Sequence, residues 1–99
     1  MNKHSLYLST EAELSLNEII EHTRKQWGKT ELQRLKKRLK ELFMVIKNNP
    51  YAFKTHEGNN QIRKAILLNA IAVYYKVNDN TIEVALFWDT RRDPDSLSL

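Results

Sequence analysis

The stretch from Ile62 to Trp88, IRKAILLNAIAVYYKVNDNTIEVALFW, decides the fold. It holds three runs rich in β-branched and aromatic residues, separated by Asn69-Ala70 and by Asn78-Asp79-Asn80. Asparagine and aspartate tolerate the left-handed backbone of a tight turn, and the residues flanking them favour a pleated surface. Strands are therefore expected over residues 62–68, 71–77 and 81–88, joined as an antiparallel meander. Strict alternation assigns their faces. In the middle run Ile71, Val73, Tyr75 and Val77 oppose Ala72, Tyr74 and Lys76. In the last run Ile82, Val84, Leu86 and Trp88 oppose Glu83, Ala85 and Phe87. One face is apolar and the other mixed, so the sheet calls for a layer of helix on one side.

The upstream sequence supplies that layer. Leu6, Tyr7 and Leu8 favour a short first strand near residues 3–8. Thr10 and Glu13 have the spacing of a capping box, and Ala12, Leu16, Ile19, Ile20, Thr23 and Trp27 follow at helical spacing. Gly28 reads as the stop. Thr30 and Gln33 repeat the capping pattern, and Leu32, Leu35, Leu39, Leu42 and Ile46, widened by Phe43, make a second apolar stripe that Asn49-Pro50 closes. So short a junction lays the two helices side by side. Residues 51–61 read as a loop. The expected fold class is α+β, ordered β-α-α-β-β-β: an N-terminal helical hairpin packed on one face of a small antiparallel sheet. Residues 1–94 form one domain and 95–99 a short tail.

Several function classes drop out on composition. The chain has 99 residues, 41% hydrophobic and 28% charged, which is enough for one core. It has no cysteine, hence neither disulfides nor a thiolate metal site. The N-terminus lacks an apolar signal segment, and no stretch approaches the roughly 18 apolar residues of a membrane span. A cytoplasmic protein with no membrane role is expected. The net charge of +4 is uneven: residues 29–49 carry seven Lys/Arg against Glu31 and Glu41. Such a basic ridge is either a solvated helix face or an attractor for an anionic partner.

Site motifs are sparse. His4, His22 and His56 lie in different elements without ligand spacing, and the two glycines form no phosphate-binding pattern, so no metal or cofactor is expected. What remains is a set of cations, Arg63, Lys64, Lys76, Arg91 and Arg92, near Tyr74 and Tyr75. Such a set binds anionic groups and is able to stabilise the charge of phosphodiester cleavage. Cleavage also requires a proton acceptor and a donor, and His56-Glu57 is the one acid–base pair in a suitable loop. Each of these residues has a plainer reading: Tyr75 and Trp88 as core, His56 as a surface residue, Arg63 as a cross-strand partner of Glu83.

Several pieces, in order, carry a resemblance. They are Leu8-Ser9-Thr10-Glu11-Ala12, Trp27-Gly28, Asn49-Pro50, Gly58 with Ile62-Arg63-Lys64, Ile71-Ala72-Val73-Tyr74-Tyr75-Lys76-Val77, Thr81-Ile82-Glu83-Val84, and Phe87-Trp88-Asp89-Thr90-Arg91-Arg92-Asp93-Pro94. The chain resembles the RelE/ParE toxin superfamily of bacterial type II toxin–antitoxin systems over nearly its whole length. Arg63 matches an arginine frequent in both branches, and Arg91-Arg92-Asp93-Pro94 is similar to the tail of ParE-like sequences. Trp88-Asp89 stands where a cleaving member usually adds histidine or tyrosine to arginine. The resemblance implies a ParE-like toxin that binds DNA gyrase through basic and tail residues and is neutralised by a cognate antitoxin. That antitoxin's C-terminal segment would wrap the toxin and cover exposed apolar positions such as Leu14. The alternative it implies is a RelE-like ribosome-dependent mRNA endoribonuclease. There Arg63, Arg91 and Arg92 would neutralise phosphate, Glu57 or His56 would move protons, and Tyr75 or Trp88 would stack on a base. A third possibility is an inactive module that still binds antitoxin.

Overall fold

The expected meander forms, and two bulges decide which side chains it turns toward the helices. A computed structural model describes residues 4–91. Residue 3 of the expected first strand, Arg92, the Asp93-Pro94 pair and the tail at 95–99 lie outside the described residues. Strand β1 (Ser5–Leu8) leads into helix α1 (Thr10–Asn48), followed by β2 (Thr55–His56), β3 (Asn59–Leu68), β4 (Ile71–Asn78) and β5 (Thr81–Asp89). The strands form one sheet in the order β1-β5-β4-β3-β2. Asn69 and Asp79 take positive φ, 52° and 50°, in the two turns where the sequence places them.

Helix α1 is helical throughout except at Gly28, whose φ of 84° and ψ of −170° are open essentially to glycine alone. Nothing lies within 4 Å of where a Cβ would stand, so the constraint is conformational and not steric. A straight helix of 39 residues would run about 58 Å at the usual rise. The longest dimension of the molecule is 38 Å, so the chain folds back at Gly28. Both ends confirm the return: the Ser9 N–H donates to Val84 O at 2.9 Å, and the His4 N–H reaches Lys47 O at 3.5 Å. These two limbs are the expected helical hairpin.

The first cap falls one residue earlier than expected. Ser9, not Thr10, is the N-cap, and its Oγ accepts the Ala12 N–H at 3.0 Å. Ser9 wins because its side chain also donates to Ala85 O, tying the helix start to β5 in one move.

The sheet is mixed where an antiparallel one was expected: β1 pairs parallel to β5, Ser5 with Thr81 through Leu8 with Val84, while the other pairs are antiparallel. A helical hairpin long enough to cross the sheet allows the first strand to join in either direction, so periodicity does not fix the choice. Residues 51–61, expected as loop, contain β2 and the first residues of β3.

The alternation expected in β5 breaks at Ala85. Tyr74 pairs with Leu86 but Tyr75 with Val84, leaving Ala85 as the extra residue of a bulge. Ile82, Val84 and Phe87 therefore all reach the helix-side core, and Trp88 turns to the opposite face. A second bulge at Leu67 sends Ala65, Leu67 and Leu68 to the helix side. Arg38 on the second limb donates from Nε to the Leu67 carbonyl at 2.9 Å, satisfying the disturbed ladder.

The larger core lies between α1 and the sheet. Leu35, Leu42 and Ile46 meet Val73, Tyr75, Ile82, Val84 and Phe87 there, all essentially buried. A small second cluster, Ile62, Ala72 and Tyr74 with Trp88 against it, covers part of the other face. Among the described residues no helix is long and apolar enough to cross a membrane.

Candidate functional site

Among the described residues two surfaces are left uncovered. One is the sheet face opposite the helices. Alternation from Ile62 and Tyr74 places Lys64 and Lys76 on it, and the bulge at Ala85 brings Trp88 there as well. The β2 hairpin overhangs this face and sets the His56 ring edge-on to Tyr74, centroids 5.4 Å apart and planes at 82°. Gly58 makes room for that ring: a Cβ there would stand 3.3 Å from His56 Nε2. Lys54, Glu57, Lys64 and Thr90 complete the rim of a shallow depression of about 860 Å³. Burial pushes the Tyr74 hydroxyl above the usual tyrosine range, which keeps it protonated and able to donate. The depression is thus aromatic at its floor and mostly basic at its edge. Tyr74 is a member that sequence reasoning ranked below Tyr75, and the signal that separates them is the alternation within residues 71–77.

The five cations singled out in the sequence do not converge on this face. Arg63 pairs with Tyr75 in the β3–β4 register and so points to the helix side. There its guanidinium donates to Phe53 O at 2.6 Å and to Tyr51 O at 3.4 Å, with the Tyr51 ring 5.1 Å away. It anchors residues 51–53 and does not cross-pair with Glu83, which lies opposite Lys76. Arg91 is clamped by Asp89: Nε and Nη2 donate to the two carboxylate oxygens at 3.0 and 2.8 Å, which holds its pKa above the ordinary arginine value. Tyr75 is core, donating to Pro50 O at 2.7 Å. Lys64 and Lys76 are the two that share the open face, and Arg92 lies outside the described residues.

The second surface is a groove of about 1040 Å³ between the helical hairpin and the end of β5. It exists because β1 accompanies β5 only as far as Val84. Ser15 Oγ takes the Phe87 N–H at 3.0 Å just beyond that point. Leu14 and Trp27, 59% and 68% exposed, stand on its helical wall, and Leu86, Phe87 and Trp88 form the strand side. Apolar side chains this open on a small domain form a surface of the kind that protein partners cover.

Residues 6–94 match the sequence pattern of the family described as the ParE toxin of type II toxin–antitoxin system, parDE. No curated protein matches the sequence. Among solved structures the chain is similar to one from the chromosomal ParDE toxin–antitoxin system of P. aeruginosa, with a TM-score of 0.71 and 17% identity over 86% of this chain and 94% of that one. It is also similar to a chain of the E. coli DinJ-YafQ toxin–antitoxin complex (TM-score 0.60, 12% identity, 90% and 94% covered). The YoeB dimer of Staphylococcus aureus gives a TM-score of 0.60 at 17% identity, with 85% and 93% covered. At these identities the structural likeness establishes the fold.

Proposed function

The chain belongs to the ParE toxin family of type II toxin–antitoxin systems, and from that premise we propose that it arrests growth in the cytoplasm by binding DNA gyrase. Its regulating partner is a cognate antitoxin. The observation that supports a binding toxin over a nuclease is the dispersal of the arginines. Arg63 is occupied by backbone carbonyls on the helix side, and Arg91 is occupied by Asp89. Lys64, Lys76, Arg91 and Arg92 are then contacts to the target, none of them a bond-making group. The antitoxin covers the groove at Leu14 and Trp27, withdrawing the toxin from its target.

Purified protein added to a gyrase supercoiling reaction is expected to block it or to trap cleaved DNA. A normal supercoiling rate at saturating protein overturns the proposal.

One observation favours a second reading. The His56–Tyr74 pair beside Lys64 offers a proton carrier, an aromatic surface and a cation on one face. On this reading the protein is a ribosome-dependent mRNA endoribonuclease in which Glu57 assists from the rim of the same depression, while Arg63, held on the helix side, takes no part in the chemistry. Shortened mRNA from translating ribosomes, abolished by His56→Ala, would replace the gyrase reading.

A further inference from the structure

We propose that the groove selects its occupant by charge, accepting an amphipathic antitoxin segment whose apolar side chains cover Leu14 and Trp27 and whose Lys or Arg residues pair with Glu11 and Glu18. This deepens, and rests on, the reading of the groove as the antitoxin's docking surface.

The groove inverts the sign of the molecule's charge. The chain as a whole carries +4, yet this apolar groove is edged by four carboxylates. Two of these are already matched: Glu31 pairs with Arg34 at 2.6 Å, and Asp89 with Arg91 at 2.8 Å. Glu11 and Glu18 line the same groove and make no ion pair among the described residues. Both are exposed, and Leu14 lies between them on the same helical face. Seven residues of helix separate the two carboxylates by about 10 Å along the axis. An occupant with cations one heptad apart reaches both while setting an apolar residue against Leu14. An occupant with acidic flanks meets two unpaired like charges at the edge of an apolar surface, where water is withdrawn on docking and repulsion is strongest. Glu11 and Glu18 thus discriminate between partners that bury the same apolar area.

The test uses the whole chain and two synthetic helical peptides. They share one Leu/Ile face and differ only in carrying Lys or Glu at two positions seven apart beside it. Trp27 stands exposed on the groove wall, so its emission, read in a Trp88→Phe background because Trp88 also borders the opposite face, reports occupancy. The Lys peptide is expected to bind about tenfold more tightly than the Glu peptide at low salt, the yield of two partly desolvated pairs. The preference should shrink with added salt and fall to within about twofold in the double variant Glu11→Gln, Glu18→Gln. Equal binding, no binding of either peptide, or a preference that survives in the double variant overturns the inference. The protein encoded by the adjacent reading frame, titrated against the wild type and both variant sets, separates the two levels. If Trp27→Ala weakens its binding but the double variant does not, the groove reading stands and the charge inference falls. If that protein fails to bind the wild type while the Lys peptide does, the partner assignment falls and the charge inference stands.

Discussion

Ser15 Oγ accepts the Phe87 N–H at 3.0 Å and donates to Ala12 O at 3.0 Å, so one hydroxyl joins the first helical turns to the bulged part of β5. Among the described residues no strand runs beside β5 past Val84, and a main-chain N–H there needs another acceptor. Ser15→Ala removes it and leaves the Phe87 N–H, at an essentially buried residue, without a partner. The expected loss is about 1–3 kcal/mol of stability, read as a lower urea midpoint at unchanged slope. Ser15→Thr keeps the hydroxyl and should retain most of that stability. The Phe87 amide proton should exchange faster in the alanine variant by a larger factor than amides elsewhere in the sheet, a local signature that general destabilisation does not produce.

Gly28 is expected to be intolerant of substitution although it touches nothing. With φ 84° and ψ −170°, alanine has room for its methyl group but not for its backbone geometry. Gly28→Ala should cost about 1–3 kcal/mol, against the stabilisation that alanine ordinarily brings to a helix. Thermal unfolding checks the sign. A gain in stability would mean that the two limbs can join without this turn.

Arg63 separates a structural role from a functional one. Its guanidinium holds Tyr51 O and Phe53 O and lies over the Tyr51 ring, close to where Tyr75 grips Pro50. Arg63→Ala is expected to lower stability by about 1–2 kcal/mol, because the half-buried Phe53 carbonyl loses a charged donor. Arg63→Lys keeps the charge without the forked geometry and should recover only part of it. If Arg63 instead contacts the target directly, the alanine variant will match the wild type in denaturant and differ only in growth arrest.

The meander is readable from the sequence because Asn69 and Asp79 supply turn chemistry between long strand-favouring runs, and the hairpin because glycine interrupts two apolar stripes. The bulge at Ala85 is hidden: Ala85, Leu86, Phe87 and Trp88 are all apolar, so sliding the alternation by one residue leaves the pattern unchanged. That shift moves Trp88 to the open face, so the candidate site inherits the same ambiguity. A two-residue strand such as β2 has no periodicity to detect, yet it positions His56 over Tyr74. Arg63 and Lys64 are adjacent cations on opposite faces, which composition alone merges into one basic patch.

Tyr75 gives the fold an alkaline limit. Burial pushes its hydroxyl up to about 12, with nearby Arg63 pulling weakly the other way. An unfolded chain titrates the same group near 10. Between those values the folded state holds a proton that the unfolded state has lost, so stability falls as pH rises. The contribution is fully present below about pH 10 and exhausted once the folded group ionises near 12. Tyr74, raised in the same direction by burial, adds to the slope. Tyr75→Phe should flatten most of this dependence. It should also lower stability at neutral pH by about 1 kcal/mol, because the Pro50 carbonyl loses its donor. Urea midpoints from pH 8 to 11 for the wild type, Tyr75→Phe and Tyr74→Phe give the comparison. A wild-type slope that Tyr75→Phe leaves intact would place the alkaline transition elsewhere in the molecule.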